Sequence, residues 1–141
     1  MPFVETDFWV MEIPEEWVAT QEDDLVCIVD PDDIGSLDVS ALCKEQGEVT
    51  IDDLNVFAEE LYAAGRTSKM VESGDFEGLY FEYASEELHW REWFLKHSSK
   101  SGLLVFASYT CDPEQAGMDD VVVDQMLESL VPLDQEKAAE N

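Results

Sequence analysis

Residues 79–96 read LYFEYASEELHWREWFLK and are rich in aromatic side chains. Two runs rich in aromatic residues are separated by Ser85-Glu86, and aromatic side chains are enriched in β-strands. The pattern therefore predicts one strand at 79–84, a second at 88–96, and a two-residue loop between them. The sequence thus predicts an aromatic β-hairpin.

This hairpin carries the candidate binding residues. A two-residue loop pairs Glu82 with His89 and Tyr80 with Arg91 on one face of the sheet. One interpretation is a ladder of ion pairs partly covered by a helix, with Arg91 stacked over Tyr80. The other is a polar recognition patch, in which Trp93 is the exposed contact residue. The binding hypothesis therefore names Tyr80, Glu82, His89, Arg91 and Trp93.

The flanking sequence predicts further strands and two helices. Strand patterns occur at 8–13, 17–20, 25–29, 37–41, 70–73 and 103–109. Thr50 and Asp53 form a capping box that begins a helix ending at Gly65, and a second helix covers 118–130. We expect an α+β fold, with an antiparallel sheet of about six strands and two main helices in the order β-β-β-α-β-β-β-α. Residues 1–133 form one domain, and residues 134–141 form a flexible acidic tail.

The charge is extreme and unevenly distributed, with 34 acids and seven bases giving a net charge of −27. Residues 1–65 hold 18 acids and one base, residues 66–111 hold 7 acids and 5 bases, and residues 112–141 hold 9 acids and one base. Such a field repels phosphate backbones and anionic lipid surfaces, so we expect neither direct nucleic-acid binding nor membrane binding. The sequence shows neither a signal peptide nor a long apolar segment, which indicates the cytoplasm.

The sequence contains none of the common motifs that indicate a catalytic or metal-binding site. The three cysteines form no CxxC pair, and we expect them to be reduced and buried. His89 and His97 would lie about 26 Å apart on a straight strand. The stretch 30–35 begins like a calcium loop, but Ile34 and Ala41 stand where oxygen ligands are required, so we expect a solvated turn. We expect no catalytic residue, no metal and no cofactor.

The chain resembles the PsbP/Mog/DcrB group of α/β/α sandwiches. The resemblance rests on the opening strand, proline turn and tryptophan of residues 8–17, the aromatic hairpin 83–94, and the closing helix that ends at 127–130. This group includes a photosystem subunit, a Ran-binding import factor, envelope lipoproteins and secretion-associated chaperones. The resemblance implies a noncatalytic binding scaffold, and it transfers no functional residue because these proteins share a fold and not a site.

The sequence therefore favours a noncatalytic protein–protein interaction module, such as an adaptor, a chaperone or an immunity-type partner. One alternative is an acidic mimic of nucleic acid that occupies the cationic site of another protein. A second is a small enzyme whose polar groups assemble only in the fold. We expect a protein partner, and the sequence is also compatible with a homodimer. Adaptation to a high-salt host would explain the acidity without mimicry of nucleic acid.

Overall fold

A computed structural model describes residues 2–23, 25–44, 47–97 and 102–133, and its centre is a seven-stranded antiparallel sheet. The predicted tail, 134–141, lies outside the described residues. The strands are β1 Phe3–Glu5, β2 Trp9–Glu12, β3 Val18–Glu22, β4 Leu25–Val29, β5 Gly35–Cys43, β6 Lys69–Ser73, β7 Phe76–Ala84, β8 His89–His97, β9 Leu103–Cys111 and β10 Val131–Pro132. The helices are α1 Ile51–Phe57, α2 Glu59–Ala63 and α3 Asp120–Glu128, with a 3-10 turn at Pro113–Gln115.

The large sheet has the strand order β3-β4-β5-β9-β8-β7-β6, and a small antiparallel sheet has the order β1-β2-β10. The α+β class and the antiparallel sheet are confirmed, and the sheet has seven strands where about six were expected. The small sheet forms in addition to these seven strands, and in it Val131 and Pro132 pair with β2.

Both faces of the large sheet are covered. The first face carries the larger core, in which Trp9 of β2 and Leu127 of α3 are buried with Trp93 of β8. The second face packs against α1, where Leu54 is buried with Phe94. Because successive side chains of a strand point to opposite faces, a strand covered on both sides needs consecutive apolar residues. The run from Trp93 to Leu95 meets this requirement.

The hairpin register differs from the prediction by two residues. Glu82 lies opposite Arg91, and Tyr80 lies opposite Trp93. The connection spans Ser85 to Leu88, where the Ser85 amide donates to the Leu88 carbonyl over 2.8 Å and the Leu88 amide donates to Ser85 Oγ over 3.1 Å. A two-residue loop favours Gly or Asn, which this stretch lacks, so serine closes a longer turn. A shift of two residues preserves the faces, and the predicted grouping of side chains on one face is correct.

The helix predicted from Thr50 to Gly65 forms with its capping box but divides at Ala58 into α1 and α2. Thr50 Oγ1 accepts from the Asp53 amide over 3.2 Å, and Asp53 Oδ2 accepts from the Thr50 amide over 2.9 Å. These reciprocal bonds satisfy two donors that the first helical turn leaves free. Gly65 follows the helix in the left-handed region, with φ +85°.

Replacing Thr50 by alanine is expected to lower the free energy of unfolding by about 1 kcal/mol, because the Asp53 amide loses its acceptor. Urea unfolding followed by circular dichroism measures this change. Thr50→Ser retains the hydroxyl and should stay close to wild type. Thr67→Ala, at an exposed position outside the helices and strands, is the matched control. Equal effects at Thr50 and Thr67 would contradict a capping role.

Candidate binding site

Arg91 of β8 is buried at the centre of the predicted site, between the first face of the large sheet and α3. Its Nε donates to the Tyr80 hydroxyl over 2.7 Å, and its Nη2 donates to Asp124 Oδ1 over 2.8 Å. Its Nη1 lies 3.3 Å from Asp120 Oδ1. Burial opposes the charge, but the hydrogen bonds to Tyr80 and Asp124 outweigh it and raise the pKa of Arg91. The guanidinium therefore stays charged and links the hairpin to α3.

Two aromatic rings contact this guanidinium. Its central carbon lies 5.3 Å from the centre of the Tyr80 ring, which confirms the predicted stacking, and 4.6 Å from the centre of the Trp93 ring. The expectation that Trp93 is an exposed contact residue is wrong, since only 4% of it is accessible. The prediction assumed that one face of the sheet was open, whereas α3 and the small sheet cover the first face.

Glu82 and His89 extend the site towards solvent. The Tyr80 hydroxyl donates to Glu82 Oε1 over 2.8 Å, and His89 Nε2 lies 2.9 Å from Glu82 Oε2. Burial raises the pKa of Glu82, but the hydrogen bonds with Tyr80 and His89 outweigh it and lower the pKa overall. The structure therefore brings all five predicted side chains into one connected group, with Glu82 at its exposed end.

A cavity of about 210 Å³ opens beside Arg91, between α3 and the edge strand β6. Its lining residues include three acids and one base, which gives a net charge of −2. The residues are Val71, Glu72, Ser73, Tyr80, Arg91, Trp93, Asp124, Leu127 and Glu128. Tyr80, Arg91 and Trp93 were predicted from the hairpin, and the acids of α3 were not. The available signal was Asp120 and Asp124, four residues apart and therefore on one side of a helix.

A buried pair of carboxyl groups lies near the start of α3. Asp30 Oδ1 accepts from the Ile34 amide over 2.8 Å, and Asp30 Oδ2 accepts from the Gly35 amide over 3.1 Å. Asp30 also shares a hydrogen bond with Asp119, which accepts from the Tyr109 hydroxyl over 2.5 Å. The turn predicted to be solvated is therefore anchored by a buried aspartate. Within the described ranges, no group of three or more His, Cys, Asp or Glu side chains is placed to hold a metal ion.

The two carboxyl groups titrate differently. Burial, followed by the hydrogen bond with Asp30, raises the pKa of Asp119 to about 6. Burial also opposes ionisation of Asp30, but hydrogen bonds from Asp119 and from the amides of Ile34 and Gly35 lower the pKa of Asp30 overall. Two carboxylates in contact repel each other, so the pair is best satisfied when Asp119 holds a proton and donates it to Asp30.

The fold is shared with solved proteins of low sequence identity. No protein-family model matches the chain, and no curated protein matches it in sequence. A protein of known crystal structure from Bacteroides thetaiotaomicron superposes with a TM-score of 0.66 at 15% identity, over 91% of this chain and 46% of its own length. This chain thus spans less than half of that protein. LpqN, involved in cell envelope biogenesis of Mycobacterium tuberculosis, superposes with a TM-score of 0.56 at 11% identity, over 89% of this chain and 83% of LpqN.

These similarities define the class of protein as an α+β domain with a large antiparallel sheet. At such low identities they show the fold alone. The resemblance to the PsbP/Mog/DcrB group is tested by none of them and stays a prediction. Among the helices that the structure describes, none has the length and apolar character to cross a bilayer.

Proposed function

We propose that this chain is a noncatalytic protein-interaction module that receives a basic side chain of a partner protein in the cavity beside Arg91. The observation that supports this proposal is the charge around the cavity. Asp124 and Asp120 already neutralise Arg91, and the lining residues still carry a net charge of −2. A lysine or arginine side chain would offset part of this charge.

The walls of the cavity suit the same ligand. Trp93 and Tyr80 provide aromatic surface, and Leu127 adds aliphatic surface. A long basic side chain packs its methylene groups against such walls while its charged end meets carboxylates. Glu128 lies at the last turn of α3, where it is exposed. The cavity therefore combines an apolar wall with an acidic opening.

An array of peptides with one central Lys or Arg among neutral residues tests this proposal. The wild-type protein should bind peptides with the basic residue and not their norleucine counterparts. Glu72→Gln/Glu128→Gln removes two charges from the cavity lining without touching the groups that hold Arg91, and it should weaken binding about tenfold. Glu15→Gln/Glu16→Gln removes two charges that do not line the cavity and serves as the control.

The result that contradicts this function is equal weakening by both double variants, since binding would then depend only on net charge. A peptide that passes the test would next be used as a competitor in affinity purification from the host. The partner should be displaced by the basic peptide and retained in the presence of its norleucine counterpart. A partner that resists displacement would bind elsewhere on the chain.

The proposed compartment is the cytoplasm. Its support is the set of three free cysteines, of which Cys111 is buried as expected, whereas Cys27 and Cys43 are only partly buried. Burial and the neighbouring Asp38 also raise the pKa of the Cys27 thiol to about 11, so this thiol stays protonated and unreactive at neutral pH. Fractionation of host cells would test the assignment.

A further inference from the structure

A second cavity lies on the opposite face of the large sheet and shares no lining residue with the cavity beside Arg91. It has a volume of about 310 Å³ and lies between α1 and the ends of β5 and β9; we call it the α1 groove. Its lining is mostly apolar. The residues are Leu42, Lys44, Val49, Asp53, Val56, Phe57, Gly102 and Leu104.

The α1 groove is bordered by apolar side chains that solvent reaches. The accessible fractions are 48% for Leu42, 68% for Val56 and 46% for Phe57. Single exposed apolar residues are common, but three of them around one concave site form a patch of the kind that binds a partner. Val49 and Leu104 are buried beneath them and close the floor of the groove.

The surroundings of the α1 groove are acidic. Residues 48–60 contain five acids and no base. Lys44, the one base among residues 1–65, is held by Asp53 Oδ2 at 2.9 Å and by the Glu48 carbonyl at 3.2 Å. Asp52 and Glu60 stand four residues on either side of Val56 and are exposed. A partner that fills the groove therefore meets negative charge around an apolar centre.

We propose that the α1 groove is a docking surface for a basic amphipathic segment of a partner protein. Apolar side chains of that segment would fill the groove between Val56 and Leu42, and its lysines or arginines would face Asp52 and Glu60. Amphipathic segments are recognised in this way, with apolar anchors supplying affinity and complementary charge supplying orientation. The proposal concerns a surface separate from the cavity beside Arg91.

Titration calorimetry with a synthetic 18-residue amphipathic helix of Leu and Lys tests the docking surface. Leu42→Thr/Val56→Ser shortens two exposed side chains of the groove and should weaken binding about tenfold. Met118→Ser/Val121→Ser alters two exposed apolar positions outside the groove and should leave binding unchanged. A peptide of the same composition in scrambled order should bind more weakly than the amphipathic peptide, and both should lose affinity as salt is raised.

Three results would overturn the docking surface: no binding by the wild type, equal binding of both peptides, or equal effects of the two double variants. A dimer in sedimentation that the Leu42→Thr/Val56→Ser variant alone converts to monomer would also overturn it, because the groove would then bind a second copy. Glu72→Gln/Glu128→Gln should keep its affinity for the amphipathic peptide within about twofold. This last measurement separates failure of the groove from failure of the cavity beside Arg91.

Discussion

Replacement of Arg91 by alanine is expected to lower the free energy of unfolding by about 3 kcal/mol. The substitution removes the guanidinium that contacts the Trp93 and Tyr80 rings and leaves a void beside an existing cavity. It also breaks the contacts from the sheet to Asp120 and Asp124 of α3. Urea unfolding should show a lower midpoint with an unchanged slope.

Two further variants distinguish the contribution of the Arg91 charge from that of its hydrogen bonds. Asp124→Asn keeps a hydrogen-bond acceptor for Arg91, and it lies at a half-exposed position, so it should cost no more than about 1 kcal/mol. Arg91→Lys keeps the charge but loses the planar fork that reaches Tyr80 and both aspartates, so it should fall between wild type and alanine. If Arg91→Lys is as stable as wild type, charge alone explains the role of this residue.

The sequence predicted the face of each hairpin residue and not the hairpin register. Successive side chains of a strand point to opposite faces of the sheet, so each one lies either on the face of Tyr80 or on the face of Phe81. This assignment is preserved when the strands shift by two residues. The register depends on the turn, where Ser85 hydrogen-bonds to Leu88 in place of a two-residue loop. Side-chain capping of a longer turn leaves little trace in hydrophobic periodicity.

The sequence patterns did not predict contacts between segments that lie far apart in the chain. The five hairpin residues were grouped correctly, but the acids that neutralise Arg91 come from α3, 29 and 33 residues further along the chain. The predicted exposure of Trp93 failed for the same reason, because nothing local shows that α3 and the small sheet cover that face. The α1 groove was also missed, since it requires the ends of β5 and β9 to meet α1.

Replacement of Asp119 by asparagine is expected to stabilise the protein at neutral pH. Asparagine is uncharged, can accept from the Tyr109 hydroxyl and can donate to Asp30, so it reproduces the protonated aspartic acid. Asp119 begins α3 without a side-chain capping bond, so no cap is lost. At pH 7.5 we expect a gain of about 3 kcal/mol, since each unit by which folding raises the pKa of Asp119 corresponds to about 1.4 kcal/mol.

The raised pKa of Asp119 determines how the stability gained by the substitution changes with pH. The pKa of Asp119 rises from 3.8 to about 6 on folding, so the folded state holds a proton that the unfolded state releases. The resulting stabilisation is complete below pH 3.8 and is lost as the pH rises through about 6. The free energy of unfolding of Asp119→Asn minus that of wild type should therefore increase between pH 4 and pH 6.5 and stay constant at higher pH. Asp75→Asn, which removes an exposed carboxyl group elsewhere on the chain, is the matched control. A constant difference for Asp119→Asn, or a loss of stability at pH 7.5, would mean that the two carboxyl groups do not share a proton.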